Sequence, residues 1–262
     1  MKVDYKIVKK RRDDIMLLIQ KLGSISVETL SNEFNISPIT IRRDLQYWED
    51  QGSIIRYHGG AKLITPVINA ENNFLTNDRY KHAIAKYAAQ FVDDGDIIFI
   101  NTSSTALLVI NYIVDKRVTV ITNNAKAATI NHDPKVSIFL TGGELRTPKN
   151  AMVGEFALNT LNKVKAIKTF IGCSGINIED GVTTALQGEV SINETMIKRT
   201  LGAVFVLADY TKIGTSHNFI SSRITDINYL ITDINADPTF IQQLEDNNVN
   251  TVLLPPLNNI VF

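Results

Sequence analysis

Seven short apolar runs in the last two-thirds of the chain constrain its fold more than any other feature. They are DIIFI at 96–100, VTVIT at 118–122, VSIFL at 136–140, IKTFIGC at 167–173, VFVLA at 204–208, NYLIT at 228–232 and NTVLL at 250–254. Each is strand-length, and a strand apolar on both faces must be covered on both, the condition of a parallel sheet between helical layers. Helical stretches near 81–92, 105–114, 124–131, 155–163 and 189–201 separate the runs. The pattern predicts a mostly parallel α/β sheet domain over 78–262.

The first sixty residues follow a different period. Ile15, Leu18 and Leu22 mark one helix face, and Val27, Leu30 and Phe34 mark a second, short helix after Gly23 and an N-cap at Ser26. Ser37 caps a third helix with Pro38 at its first position, and Gly52 ends it. Ile41, Leu45 and Trp48 stand at i, i+4 and i+7, so that face packs inward. Two extended pieces, 54–57 and 61–64, flank His58-Gly59-Gly60 as a hairpin. Three helices and a hairpin predict a winged helix-turn-helix over 1–64. The polar, Asn-rich stretch 65–77 reads as a linker.

The outward face of the third helix then carries Ile39, Arg42, Arg43 and Gln46. A B-DNA major groove admits one helix, and arginine's fork matches guanine's two acceptors or a phosphate. Ser37 and Thr40 offer hydroxyls and amides at the helix start, while Arg56 and His58 sit on the wing. The plain alternative for Arg42 and Arg43 is a solvated helix face. Net charge is zero, yet residues 1–64 hold eleven Lys/Arg against eight Asp/Glu and the remainder sixteen against nineteen. A basic head on an acidic body agrees with a head that meets nucleic acid.

The stretch ISPITIRRDLQYWEDQGSIIRYHGGA at 36–61 resembles the DNA-binding region of the DeoR/GlpR family of bacterial regulators. That family's Thr-Ile-Arg-Arg-Asp-Leu core and Arg-x-His-Gly-Gly-Ala wing both stand here. The resemblance implies double-stranded operator DNA as a partner. Asp44, inside the core motif, is expected to orient a neighbouring arginine or to cap locally, not to touch a base.

Ligands of an open α/β sheet bind outside the carboxyl ends of its strands. The first such loop is Asn101, Thr102, Ser103, Ser104 and Thr105; the second is Thr122, Asn123 and Asn124. Gly142, Gly143, Glu144 and Arg146 follow the third run, Gly172, Ser174 and Gly175 the fourth, and Asp209 and Lys212 the fifth. Hydroxyls, backbone amides at helix starts and two cations suit a phosphate. Tight turns and solvated amines are the plain alternative. These segments also resemble the DeoR effector domain, through LTGGELR, MVGE, FIGCSGI, GVTT, ADYTKIG and LITD. That implies a fold related to ribose-5-phosphate isomerase and a sugar-phosphate effector that alters DNA affinity. One departure stands out: the family's first loop reads Asp-x-Gly-Thr-Thr, where this chain has Asn101-Thr102-Ser103-Ser104-Thr105.

Composition excludes other classes. With 262 residues, 44% hydrophobic, the chain has room for two domains, and no apolar run approaches the roughly 20 residues of a membrane helix. The charged N-terminus lacks a signal-peptide core, so the cytoplasm is the expected compartment. One cysteine, Cys173, and scattered histidines at 58, 82, 132 and 217 offer no disulfide and no metal-ligand spacing, and no cofactor is expected. Glu144, Glu189, Asp209 and Lys212 could serve an isomerase, but a DNA-binding head suits a sensor better than a free enzyme. A nucleoid-type protein without sequence preference is the third class. The expectation is therefore a regulator, most often a repressor in this family, binding as a homodimer or homotetramer.

Overall fold

The computed structural model describes residues 5–50, 53–57, 59–63, 70–147 and 149–258. The chain divides into two compact units, Met1–Thr76 and Asn77–Phe262. The first opens with α1 (Tyr5–Leu22), β1 (Ser24–Ser26), α2 (Val27–Phe34) and α3 (Pro38–Asp50), then β2 (Ile54–Tyr57) and β3 (Gly60–Leu63). Ser26 starts α2 by accepting a hydrogen bond from Thr29 N at 2.9 Å. Ile15, Ile19, Leu30, Ile41 and Leu45 are fully buried and form the core of this unit.

Two features of this head differ from the sequence reading. The inward face of α1 is Ile15, Met16 and Ile19 with Leu18 packed against their cluster, whereas Leu22 is 56% exposed. Gly23 accounts for that: its N–H returns to Ile19 O at 2.8 Å, so the helix closes at Leu22 and releases it. The polar triplet Ser24-Ile25-Ser26 is also a strand, paired antiparallel with β3. Backbone pairing and one buried side chain, Ile25, outweigh the weak local pattern. Gly52 and His58 lie outside the described residues. Within 65–77, residues 65–69 are likewise outside them, and from Ala70 the backbone belongs to α4 (Ala70–Ala88).

The second unit continues with β4 (Ile97–Ile100), α5 (Ser104–Leu107), α6 (Val109–Tyr112), β5 (Val118–Thr122), β6 (Val136–Leu140), β7 (Glu144–Arg146) and β8 (Ala151–Val153). Then come α7 (Glu155–Asn162), β9 (Ala166–Ile171), β10 (Gly175–Asn177), β11 (Gly181–Thr184), α8 (Gln187–Lys198) and β12 (Thr200–Leu207). It ends with β13 (Phe219–Ser222), β14 (Tyr229–Asp233), α9 (Pro238–Asp246) and β15 (Asn250–Leu254). The seven apolar runs form one seven-stranded sheet in the order β15-β14-β12-β9-β4-β5-β6, and every neighbouring pair is parallel.

Both faces of the sheet are buried. Ile98, Ile100, Phe170 and Phe205 pack beneath Ile84 and Ala88 of α4. On the other face Phe99 and Ile121 meet Ala157, Leu161, Ile192 and Met196 of α7 and α8, and Leu230 meets Phe240 and Leu244 of α9. Phe170, Phe205 and Tyr229 stack across β9, β12 and β14 with centroids 4.7–4.8 Å apart. The stretch at 124–131 makes only a 3₁₀ turn, Ala125–Thr129, and that at 105–114 breaks into α5 and α6. Helix α9 and the small strands β7, β8, β10, β11 and β13 are additions to the sequence reading.

Candidate nucleic-acid interface and effector crevice

In the head, burial of Ile41 and Leu45 turns the opposite face of α3 to solvent. Ile39 is 63% exposed there, and Arg42 and Arg43 are exposed beside it. Between those arginines and the core stands Asp44, 1% exposed. Its carboxylate accepts from Arg11 Nε at 2.6 Å and from Arg12 Nε at 2.9 Å. Trp48 donates its indole N–H to Arg12 O at 2.8 Å, and the Arg12 guanidinium lies 4.3 Å above the Tyr47 ring. A carboxylate this deep is costly when unpaired, so the two guanidiniums fix α1 against α3.

A second lock joins α3 to the hairpin. Glu49 accepts from Arg56 Nε at 2.7 Å, from Arg56 N at 3.1 Å and from Gln46 Nε2 at 3.2 Å. Burial pushes the Glu49 carboxyl up, but the hydrogen bonds and charge of Arg56 outweigh it and hold it below its ordinary value. Ile39, Arg42, Arg43, Gln46 and Arg56 together line an open depression of about 280 Å³. A cationic floor with one aliphatic side chain is suited to phosphates and to base edges.

In the second unit the crevice follows from strand order. The chain runs β4, β5, β6 toward one edge, returns to place β9 on the other side of β4, and continues through β12 and β14 to β15. The loops after β4 and β9 therefore diverge, which opens a crevice at the carboxyl ends. Asn101 bridges the two strands: its Nδ2 donates to Gly172 O at 2.9 Å and to Asn193 Oδ1 at 3.0 Å. Its Oδ1 accepts from Gly172 N at 3.0 Å and Ser103 N at 3.1 Å. Both protons and both lone pairs of the amide are thus used within the protein. Gly172 must be glycine, because a Cβ there would lie 2.0 Å from Ser103 Oγ.

A buried carboxylate organises the rest. Glu189, at the start of α8, accepts from Thr102 Oγ1 at 2.8 Å and from Thr184 Oγ1 at 2.6 Å. Lys149 Nζ stands 3.2 Å from the same Glu189 carboxylate. Lys149 belongs to the hairpin of β7 and β8, which crosses to the second loop through Met152 N to Asn123 O at 2.7 Å and Ala125 N to Asn150 O at 2.9 Å. Asn123 Nδ2 donates to Met152 O at 3.1 Å, while its buried Oδ1 has no partner in the structure. Gly143, with φ +108°, lets the loop pass Val153 O, which a Cβ would approach to 2.5 Å.

Charges of both signs act at the end of β9. Burial pushes the Cys173 thiol up to about 12; the ammonium groups of Lys212 and Lys149 oppose that shift and the Asp209 carboxylate adds to it. The same two lysines, after desolvation, hold the His217 imidazole below its ordinary value. Asp209 N-caps the turn that carries Lys212, accepting from Thr211 N at 3.1 Å. Among the described residues no cluster of His, Cys, Asp and Glu can hold a metal ion, and no helix is long and apolar enough to cross a membrane.

The two units, with these two sites, match two family models in the same order. Residues 11–67 match the DeoR-like helix-turn-helix domain and residues 76–234 the DeoR C terminal sensor domain. The chain belongs to the DeoR family of transcriptional regulators. It is 32% identical to the HTH-type regulator YulB of Bacillus subtilis, over 95% of this chain and 98% of the relative. It is 27% identical to the glycerol-3-phosphate regulon repressor of Escherichia coli, over 93% and 98%. Ribose 5-phosphate isomerase A of Methanocaldococcus jannaschii superposes on 53% of this chain and 55% of its own, at 16% identity and a TM-score of 0.37. This DeoR-family member is a DNA-binding regulator.

The structure of this DeoR-family chain brings some expected site residues together and leaves others apart. Ile39, Arg42, Arg43, Gln46 and Arg56 share one depression. Ser37 and Thr40 face each other at the start of α3, hydroxyl to hydroxyl at 3.0 Å. Thr122 accepts from Asn124 N at 3.0 Å, and Asn124 Nδ2 donates to Thr102 O at 3.3 Å, which joins the first two loops. Thr105 is buried and Ser104 exposed at the start of α5. Ser174 Oγ accepts from Ala185 N at 3.1 Å, and Gly175 passes close to Thr215. Glu144 and Arg146 pair with each other on the exposed strand β7. Glu49, Lys149, Thr184 and His217 were not singled out from sequence. GVTT, carried only as a family resemblance, was the one signal for Thr184.

Proposed function

We propose that the chain is a sequence-specific regulator, a repressor of carbohydrate-metabolism genes, relieved or reinforced by a phosphorylated sugar. Residues 1–64 act as the winged head, 65–77 as the connection and 78–262 as the sensor, in the cytoplasm. The observation that carries the DNA reading is the arginine face of α3. Arg42 and Arg43 are exposed over buried Ile41 and Leu45, with Asp44 and Glu49 locking the neighbouring elements. Arg42, Arg43 and Gln46 read base edges, Ile39 packs on a thymine methyl, and Ser37, Thr40, Arg56 and His58 hold the backbone. One recognition helix covers few base pairs, so a homodimer or homotetramer supplies paired half-sites.

Support for the effector comes from the loops of five adjacent parallel strands, which meet at one edge beside a topological switch point. Lys212 engages phosphate, Thr102 to Thr105 and Gly172 to Gly175 line the crevice, and Asn101, Thr122 and Asn124 set the loops. The name of the glycerol-3-phosphate regulon repressor agrees with a phosphorylated effector. Fluorescence anisotropy on DNA from upstream of the gene, titrated with a panel of sugar phosphates at fixed salt, tests both halves. Specific binding shifted by one compound supports the whole reading. Equal affinity for random DNA at the same salt contradicts it.

A further inference from the structure

The hairpin of β7 and β8 contributes a charged group that the fold uses only in part. Lys149 reaches Glu189 Oε2 at 3.2 Å, yet 40% of its side chain remains exposed, against 6% for Glu189. Glu189 also accepts hydroxyl hydrogen bonds from Thr102 and Thr184. The ammonium completes the pairing of that buried carboxylate while its own outer side stays open to solvent. What the pair does achieve is placement. One of the three ammonium protons is held by Glu189, and the other two are available to a ligand.

The surroundings say what kind of ligand. The hairpin is anchored to the second crevice loop by Met152 N to Asn123 O and Ala125 N to Asn150 O. Lys149 therefore stands at the carboxyl edge of the sheet, on the opposite side of the chain order from Lys212. Glu189, which holds Lys149, also holds Thr102 of the first crevice loop, so the ammonium stands beside that loop. The charges of Lys212 and Lys149 also reach Cys173 at the end of β9, together with that of Asp209. On the second crevice loop the buried Asn123 Oδ1 lacks a donor.

We propose that Lys149 is a second phosphate-binding residue of the crevice, oriented by Glu189 and acting with Lys212 on one phosphomonoester. The inference rests on the sensor reading above and adds to it the group that distinguishes a phosphorylated sugar from the free sugar. Two ammonium donors on one phosphate form ion-paired hydrogen bonds, whereas a sugar hydroxyl offers the same donors only a neutral acceptor.

The test uses the full chain and isothermal titration at matched ionic strength. The probes are inorganic phosphate and the triose, pentose and hexose monophosphates. Lys149→Met is expected to weaken binding of whichever phosphate the wild type takes by about tenfold, the loss of one charge-assisted contact. Lys149→Arg keeps the cation and is expected to stay within about threefold. Lys149→Met also removes the cation beside the buried Glu189 and should lower the unfolding midpoint without ligand, whereas Lys149→Arg should keep it, so titrations run well below both midpoints separate lost binding from lost folding. Wild-type affinity in Lys149→Met overturns the assignment and leaves the sensor reading standing. A wild type that binds none of the probes overturns both.

Discussion

The two sites of this chain handle polar groups in opposite ways. On the head, Arg42 and Arg43 are exposed, while the acids beside them, Asp44 and Glu49, pair with other arginines. In the crevice most of the polar groups hydrogen-bond to one another, through Asn101 to Asn193 and Thr102 to Glu189. An extended polyanion supplies many phosphates and is met by a cationic surface on a rigid frame. A small metabolite supplies few contacts and needs them already in position. The difference predicts that variants of the exposed arginine face alter affinity for DNA with folding intact, whereas variants of the paired groups, Asp44 on the head and the crevice network, alter stability or ligand response.

The largest effect is expected at the hinge of the head's frame. Asp44→Ala leaves two guanidiniums without their buried partner and should cost about 3 kcal/mol, read as a lower denaturation midpoint of the head. A midpoint unchanged within error would show that the arginine face needs no such frame. Next, Arg42→Ala or Arg43→Ala should weaken operator binding by about 1–3 kcal/mol if it reads a base, with folding intact. A smaller effect sharpens the crevice side. Asn101→Asp replaces a donor facing Gly172 O and Asn193 Oδ1 with an acceptor, and should lower stability by about 1.5 kcal/mol. Should stability rise instead, the amide is not the stitch between β4 and β9.

The smallest effect is a pH dependence confined to the sensor. Desolvation holds the buried His82 below its ordinary 6.5, and His217 shifts the same way. The unfolded chain then binds more protons than the folded one near pH 6, so this stability is full above 6.5 and is lost on acidification. The unfolding midpoint should fall between pH 7.5 and 5.5, and fall less in His82→Gln. A steeper fall in the variant would reverse the sign.

What could be read from sequence alone divides along the same line. The seven strands were readable because burial on both faces writes a continuous apolar run, as in Ile97-Ile98-Phe99-Ile100. The arginine face was readable because helical period fixes which side chains oppose Ile41 and Leu45. Through-space pairs were not. Glu189 meets Thr102 across 87 positions and Lys149 across 40, and no local pattern encodes either contact. β1 escaped notice because Ser-Ile-Ser becomes a strand only when β3 lies beside it. The altered first loop carried a signal whose meaning needed coordinates: Asn101 faces Gly172 and Asn193, so its change from the family's acid concerns the scaffold first.

One measurement tests the division of labour most directly: operator anisotropy on the full chain with and without an active sugar phosphate, for wild type, Arg43→Ala and Lys212→Ala side by side. Arg43→Ala should bind operator more weakly yet still bind the metabolite. Lys212→Ala should bind operator like wild type and fail to respond to the metabolite. Wild-type operator affinity in Arg43→Ala, together with a normal response in Lys212→Ala, would contradict both site assignments at once.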